Sequence, residues 1–241
     1  MTRKSHLGLP ASMPKGRFMR LLVLLLGLLV LSPLFEEFFN LRVLEGLFFT
    51  AVFIYAAYSF SRSKALVAAA VSLAVPAIVW FWLQPFFNAQ WVEISGGLCG
   101  MAFMAIIIVA ILRHIFLQQD VSADLIAGAI VAYLLMAVMW AFIYYLLEAV
   151  HPGSFNLPTG TLPTQPGLFR YFSLVTITTV GYGDITPVTP SARAFANLEA
   201  VVGQLYLVIL VSWLVGTYVS KKSKLCSGLS GLGGRTCGCF A

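Results

Sequence analysis

Long apolar runs broken by short polar clusters organise this chain. The runs lie at about 18–35, 43–60, 65–83, 97–112, 125–147 and 194–219. Each comes close to or exceeds the roughly 20 apolar residues a helix needs to cross a bilayer. The breaks are Pro33 with Glu36 and Glu37, then Arg62 and Lys64, Arg113 and His114, Glu148, and finally Lys221, Lys222 and Lys224. Pro76 inside the third run predicts a kink, because proline removes a helical hydrogen bond. The pattern predicts an all-α integral membrane protein with six transmembrane helices.

The pattern changes between the fifth and sixth runs. Residues 150–167 hold Pro152, Pro158, Pro163 and Pro166 with Gly153, Gly160 and Gly167, a loop punctuation. The apolar piece that follows, 168–178, is too short to cross and predicts a re-entrant half-helix. Next comes TITTVGYGD, residues 176–184. Irregular backbone at membrane depth is tolerated only where protein buries it or where it lines a watery cavity. Gly181 and Gly183 make an alternating backbone accessible there. A row of carbonyls turned to one axis can replace the water of an entering cation with neutral dipoles.

Composition strengthens the membrane reading. The chain of 241 residues is 60% hydrophobic and 10% charged, against about 25% charged in soluble domains. More spans follow the first run at once and no small-residue cleavage site stands out, which argues against a signal peptide. The net charge of +6 is explained by basic loops on the cytoplasmic side rather than by nucleic acid. With the N-terminus inside, Arg3, Lys4, Lys15, Arg17, Arg20, Arg62, Lys64, Arg113, Lys221, Lys222, Lys224 and Arg235 are cytoplasmic. Arg42, Arg170 and Arg193 are then outside, so twelve of the 15 basic residues obey the rule. Both termini are expected in the cytoplasm of a multi-pass plasma-membrane protein, and the re-entrant segment enters from the outer face. Cys99 lies in an apolar run, while Cys226, Cys237 and Cys239 lie in a Gly- and Ser-rich tail expected to be disordered. That arrangement is no disulfide framework. The three histidines, His6, His114 and His151, are scattered, no catalytic constellation appears and no enzyme activity or cofactor is expected.

TTVGYGD resembles the selectivity filter of potassium channels. The resemblance covers roughly 125–220: span, half-helix, filter, span. It implies that Thr179, Val180, Gly181, Tyr182 and Gly183 form the ion sites, with K+ held by the carbonyls of Thr179 to Tyr182 and the Thr179 hydroxyl. Val180 and Tyr182 would turn away and pack on the scaffold. Because the chain has one filter motif, the family pattern implies a homotetramer. In such a channel the half-helix aims its partially negative C-terminal end, on the order of −0.5 charge, at a central cavity. Asp184, Tyr171 and Thr178 would support the filter. Some members pair the acid with a glutamate at the position of Val175, which this chain lacks. An aromatic matching Tyr171, often tryptophan, partners the acid elsewhere, so a Tyr171–Asp184 hydrogen bond is expected. Tyr171 and Phe172 stand where a pair of tryptophans is commoner. Gly203 matches a gating hinge, although a small residue there also allows close helix packing. Gln204, Leu207, Val211 and Val215 recur at helical spacing and are expected to line the cavity and an apolar gate. Glu199, an acid within the last span, invites a functional reading, with a hydrogen bond behind the filter or near the outer mouth. Glu148 and His151 read as interfacial.

Four domains follow: a cytoplasmic N-terminus at 1–17, a four-helix sensor-like or scaffold unit at 18–117, a pore unit at 118–220, and a cytoplasmic tail at 221–241. The fourth span carries only Arg113 and His114, at its inner end. Voltage sensing needs several charges, each worth about 2.3 kcal/mol per 100 mV, so conventional voltage gating is not expected. The partners expected are membrane lipid and three further copies of the chain. Two alternatives to a self-sufficient channel stand beside it. One is a K+-translocating subunit gated by a separate cytoplasmic regulatory partner, since no regulatory domain is expected in the chain. The other is a non-conducting membrane structural protein with a relic pore.

Overall fold

A computed structural model describes residues 16–35, 90–118, 121–158 and 167–230, with isolated helical positions between 50 and 82. Five helices and two short strands make up the described chain. They are α1 (Arg17–Phe35), α2 (Gln90–Leu117), α3 (Ala123–Val150), β1 (Phe155–Asn156), α4 (Leu168–Ile177), β2 (Thr186–Pro187) and α5 (Pro190–Ser230). Three stretches, Ile94–Leu117, Ala123–Val150 and Pro190–Thr217, are long and apolar enough to cross a membrane. The expected spans at 43–60 and 65–83, with the kink at Pro76, lie outside the described elements.

Helix α3 is the hub, packing against each of the other described helices. Its sequence explains why. Apolar residues occupy every face, so it can pack against several neighbours at once and leaves no polar stripe for water, with Ile126 and Ile130 remaining exposed. Val131, Ala132, Leu135 and Tyr144 are buried almost completely. Helix α1 offers one stripe, Phe18, Leu21, Leu25 and Leu28, and turns the exposed Val23, Leu26 and Val30 away. The matching stripe on α2 is Phe103, Met104, Ile107, Ile111 and Ile115. Spacings of three and four put each stripe on one helix face. These helices therefore pack on α3 of their own chain. The α3 start is capped by Ser122, whose hydroxyl accepts from Leu125 N at 3.2 Å. Asp124 in that first turn reaches across and accepts from Met19 N at 3.1 Å, satisfying an orphan donor at the start of α1.

Several boundaries differ from the sequence expectation. The last helix starts at Pro190, not at 194, because Thr189 caps it: Ala192 N donates to Thr189 Oγ1 at 3.3 Å. Proline at the first helical position loses no bond, since its missing donor would be an orphan there. The same helix runs to Ser230, ten residues into the tail expected to be disordered. Residues 221–230 contain no proline, so nothing in that stretch interrupts the i→i−4 ladder. Helix α2 is also longer than expected, because polar Gln90, Glu93 and His114 continue the helix beyond its apolar centre.

Candidate functional site

Helix α4 ends where the TTVGYGD stretch begins, and its last carbonyls hold that stretch. The last four carbonyls of any helix lack intrahelical partners. Here each is used. Leu174 O accepts from Thr178 N at 3.1 Å and from Thr178 Oγ1 at 2.6 Å. Val175 O accepts from Val180 N at 3.0 Å and Gly181 N at 3.2 Å. Thr176 O accepts from Thr179 N at 3.0 Å, and Ile177 O accepts from Tyr133 Oη at 2.9 Å.

This pattern fixes which way the next carbonyls face. A trans peptide opposes the carbonyl of one residue to the N–H of the next, and the described chain has no cis bond. The N–H groups of Thr179, Val180 and Gly181 point back into α4. The carbonyls of Thr178, Thr179 and Val180 therefore point away from it, on one side. The backbone sustains the pattern by alternation: Thr179, Gly181 and Gly183 have φ of 60°, 58° and 81°. Glycine adopts these values freely. A β-branched threonine does not, and such an outlier costs on the order of 1–3 kcal/mol, held by its surroundings. Residues 178–184 are all exposed in the single chain. Val180 and Tyr182 do not pack on a scaffold within one chain; they are 53% and 72% exposed. The physical reason is that α4 backs only the N–H side of the stretch, so the described part of one chain offers these side chains no second wall.

The far end of the stretch is tied down separately. Tyr171 Oη donates to Asp184 Oδ2 at 2.8 Å, the bond that the resemblance to potassium channels implies. That bond pushes the Tyr171 hydroxyl up to about 12, so it stays a donor at ordinary pH. After Asp184 the chain pairs with the segment that leaves α3: β1 and β2 run antiparallel, Phe155 opposite Pro187 and Asn156 opposite Thr186. Ser154 O extends the pairing by accepting from Val188 N at 2.8 Å. Glu148, expected at an interface, is buried and organises this turn. It accepts from Gly153 N at 2.8 Å and Phe155 N at 3.2 Å. Phe155 in turn packs edge-on against Phe169, Phe172 and Tyr144, with centroids 5.1, 5.4 and 5.5 Å away.

Two polar layers lie behind α4. The outer one joins Tyr144 of α3, Ser173 of α4 and Glu199 of α5. Glu199 is fully buried. Tyr144 Oη donates to its Oε2, and its Oε1 meets Ser173 Oγ. Ser173 Oγ also donates to Ala137 O at 2.7 Å. The inner layer lies eleven residues back along α3, three turns or about 16 Å away. There Tyr133 holds Ile177 O and stacks on Tyr206, centroids 5.7 Å apart, while Tyr206 Oη donates to Ala129 O at 2.7 Å. Gly203 sits in the same layer. A Cβ there would come within 2.6 Å of Ile177 Cγ1 and 2.9 Å of Ile177 O. Close approach of α5 to the end of α4 thus accounts for this glycine in the conformation described.

The structure brings Tyr171, Thr178, Thr179, Val180, Gly181, Tyr182, Gly183 and Asp184 into one continuous segment. Gly203 touches its root. Gln204, Leu207, Val211 and Val215 lie elsewhere, exposed on α5. The sequence reading missed Tyr133, Tyr144, Ser173 and Tyr206. A signal existed for them: Tyr133 and Tyr144 are eleven apart, and Glu199, Gly203 and Tyr206 are four and then three apart, spacings that share a helix face.

A match to a known protein family covers this segment. Residues 132–220 match a family model described as an ion channel. Over 87 residues the chain is 40% identical to two pore potassium channel c of Oryza sativa subsp. japonica, taking in 36% of this chain and 17% of that protein. Over 134 residues it is 31% identical to the voltage-gated potassium channel Kch of Escherichia coli (strain K12), 55% of this chain and 28% of that protein. The matches thus span less than a third of either relative. No solved structure matches significantly. These similarities support a membrane protein with an ion-channel segment of the potassium-channel type.

Proposed function

We propose that four copies of this chain form a potassium-selective channel, with TTVGYGD as the filter and α4 as the pore helix. The observation that carries the reading is the set of carbonyls at Thr178, Thr179 and Val180 turned to one side, away from the α4 backing. Such a row offers a dehydrating cation neutral oxygen dipoles in succession. One chain supplies one carbonyl per level, so a cage needs several chains. The uncovered Val180 and Tyr182 fit the same assembly, in which a neighbouring copy supplies their second wall.

In this channel K+ passes the carbonyls of Thr179 to Tyr182 and the Thr179 hydroxyl, with Gly183 completing the backbone turn. Asp184, Tyr171 and Thr178 hold the filter at its two ends. Gln204, Leu207, Val211 and Val215, exposed in one chain, line the cavity and an apolar gate. The distribution of basic residues supports an orientation with both termini in the cytoplasm. With Arg113 and His114 only at the inner end of α2, the channel opens without conventional voltage sensing.

Potassium efflux from liposomes holding the purified protein, measured against sodium, tests the proposal. Gly181→Ala is the matched control. Nothing lies within 4 Å of a Cβ at Gly181, but φ is +58°. The substitution therefore costs about 1–2 kcal/mol of backbone strain without a clash and leaves the protein folded. Selective K+ flux that Gly181→Ala abolishes is the expected result. A folded native protein that passes sodium as readily as potassium overturns the reading.

A further inference from the structure

The outer polar layer contains a hydrogen-counting problem. Three contacts link four groups in a row: Tyr144 Oη to Glu199 Oε2, Glu199 Oε1 to Ser173 Oγ, and Ser173 Oγ to Ala137 O. Each contact needs one hydrogen. The tyrosine and serine hydroxyls supply one each, and a backbone carbonyl supplies none. With an ionised Glu199 the row holds two hydrogens for three contacts. If Ser173 turned its hydrogen to the carboxylate, its own oxygen would face Ala137 O lone pair to lone pair. If it kept the bond to Ala137 O, it would face Glu199 Oε1 in the same way. A third hydrogen, on Glu199 Oε1, satisfies every contact: Tyr144 donates to Glu199, Glu199 to Ser173, and Ser173 to Ala137 O.

Burial points the same way. Glu199 is fully buried within a membrane-length helix, where an unpaired charge is costly and the neutral form prevails. Among the described residues, the ionisable groups that act on it are Tyr144 and Tyr133, both phenols, and neither supplies positive charge.

We propose that Glu199 is a neutral carboxylic acid, and that as both donor and acceptor it is the positioning residue fixing α4 to α3 and α5. It touches no permeating ion. It acts through Ser173, one helical turn before Ile177, whose carbonyl neighbours hold the root of the TTVGYGD stretch. The protonation state stands on geometry alone, whereas the consequence for K+ flux rests on the channel reading.

Glutamine separates this arrangement from a charged one. Its amide oxygen accepts from Tyr144 and its NH2 donates to Ser173, reproducing the neutral acid. Leucine has similar bulk and does neither. The experiment is infrared spectroscopy of the full chain in liposomes at neutral pH, with K+ flux measured on the same samples. The native protein shows the carbonyl stretch of a protonated carboxylic acid, and Glu199→Gln lacks it. Glu199→Gln keeps flux within about twofold of native, while Glu199→Leu, which strands the buried Tyr144 hydroxyl and leaves Ser173 Oγ without a donor, loses tenfold or more as an order of magnitude. No protonated-acid band in the native protein overturns the proposal. So does a band that survives in Glu199→Gln, or a Glu199→Gln protein that misfolds or conducts as poorly as Glu199→Leu. Native protein with the band but without K+ flux refutes the channel and leaves the neutral acid standing.

Discussion

Replacing Gly203 by alanine sets two opposing terms against each other. Alanine gains about 1 kcal/mol over glycine in a helix interior. Against that, the new methyl would sit 2.6 Å from Ile177 Cγ1 and 2.9 Å from Ile177 O. The side-chain atom can rotate away. The carbonyl cannot, because it belongs to the end of α4 and is held by Tyr133. Overpacking of this kind costs about 1–3 kcal/mol, so the net loss is roughly 0–2 kcal/mol. A second glycine isolates the steric part. Gly216 lies on the same helix with nothing within 4 Å of a Cβ. Gly216→Ala keeps the helix gain and lacks the clash. The two variants should therefore differ by about 1–3 kcal/mol, or roughly 2–12 °C in midpoint for a chain of this length. Tryptophan fluorescence during thermal unfolding, in one detergent for all samples, reads the difference. Equal midpoints for the two variants would refute the close approach of α5 to α4. A hinge at Gly203 would show itself differently, as changed open probability with midpoints that match.

Other outcomes follow from the same geometry. Tyr133→Phe removes the donor to Ile177 O and should lower the unfolding midpoint by an amount equivalent to about 1–3 kcal/mol, with faster hydrogen exchange at the end of α4; an unchanged exchange pattern there would count against the bond. Tyr171→Phe should speed the loss of K+ conduction with time, because Asp184 loses its 2.8 Å partner. The pH range of that effect has a definite sign: the folded hydroxyl is raised from 10.0 to about 12, so the bond contributes fully below pH 10 and fades as pH rises through about 12. A difference between native and Tyr171→Phe channels that disappears near pH 8 would exclude the tyrosine as donor. Glu148→Ala strands the N–H groups of Gly153 and Phe155 and should loosen the β1–β2 pairing, read as increased proteolysis near 150–158; unchanged cleavage would show that the pairing holds without it.

Some of this was written plainly in the sequence. Helices near 18–35, 97–112, 125–147 and 194–219 followed from apolar length alone, and the described helices overlie each of these runs, because in lipid each backbone group must find its partner within its own helix. The half-length α4 followed from the same count, while the Tyr171–Asp184 bond was expected only from the resemblance of TTVGYGD and the residues before it to potassium channels. Glycines at 181 and 183 foretold a left-handed backbone, since few other residues adopt it. Thr179 at φ 60° was not foretold, because nothing in a threonine signals that its surroundings will hold it in a strained state.

Tertiary structure decided the rest. A buried acid such as Glu199 announces that it needs partners, but which ones depends on depth and rotation across three helices. Tyr144, Ser173 and Glu199 lie 29 and 26 positions apart and meet only because α4 descends between α3 and α5. Gly203 could be read as hinge or as packing contact until the end of α4 was placed against it. Hydrophobic periodicity is a property of one helix and survives in one dimension. The direction of a carbonyl, the count of hydrogens in a buried row and the space beside a glycine belong to several helices at once.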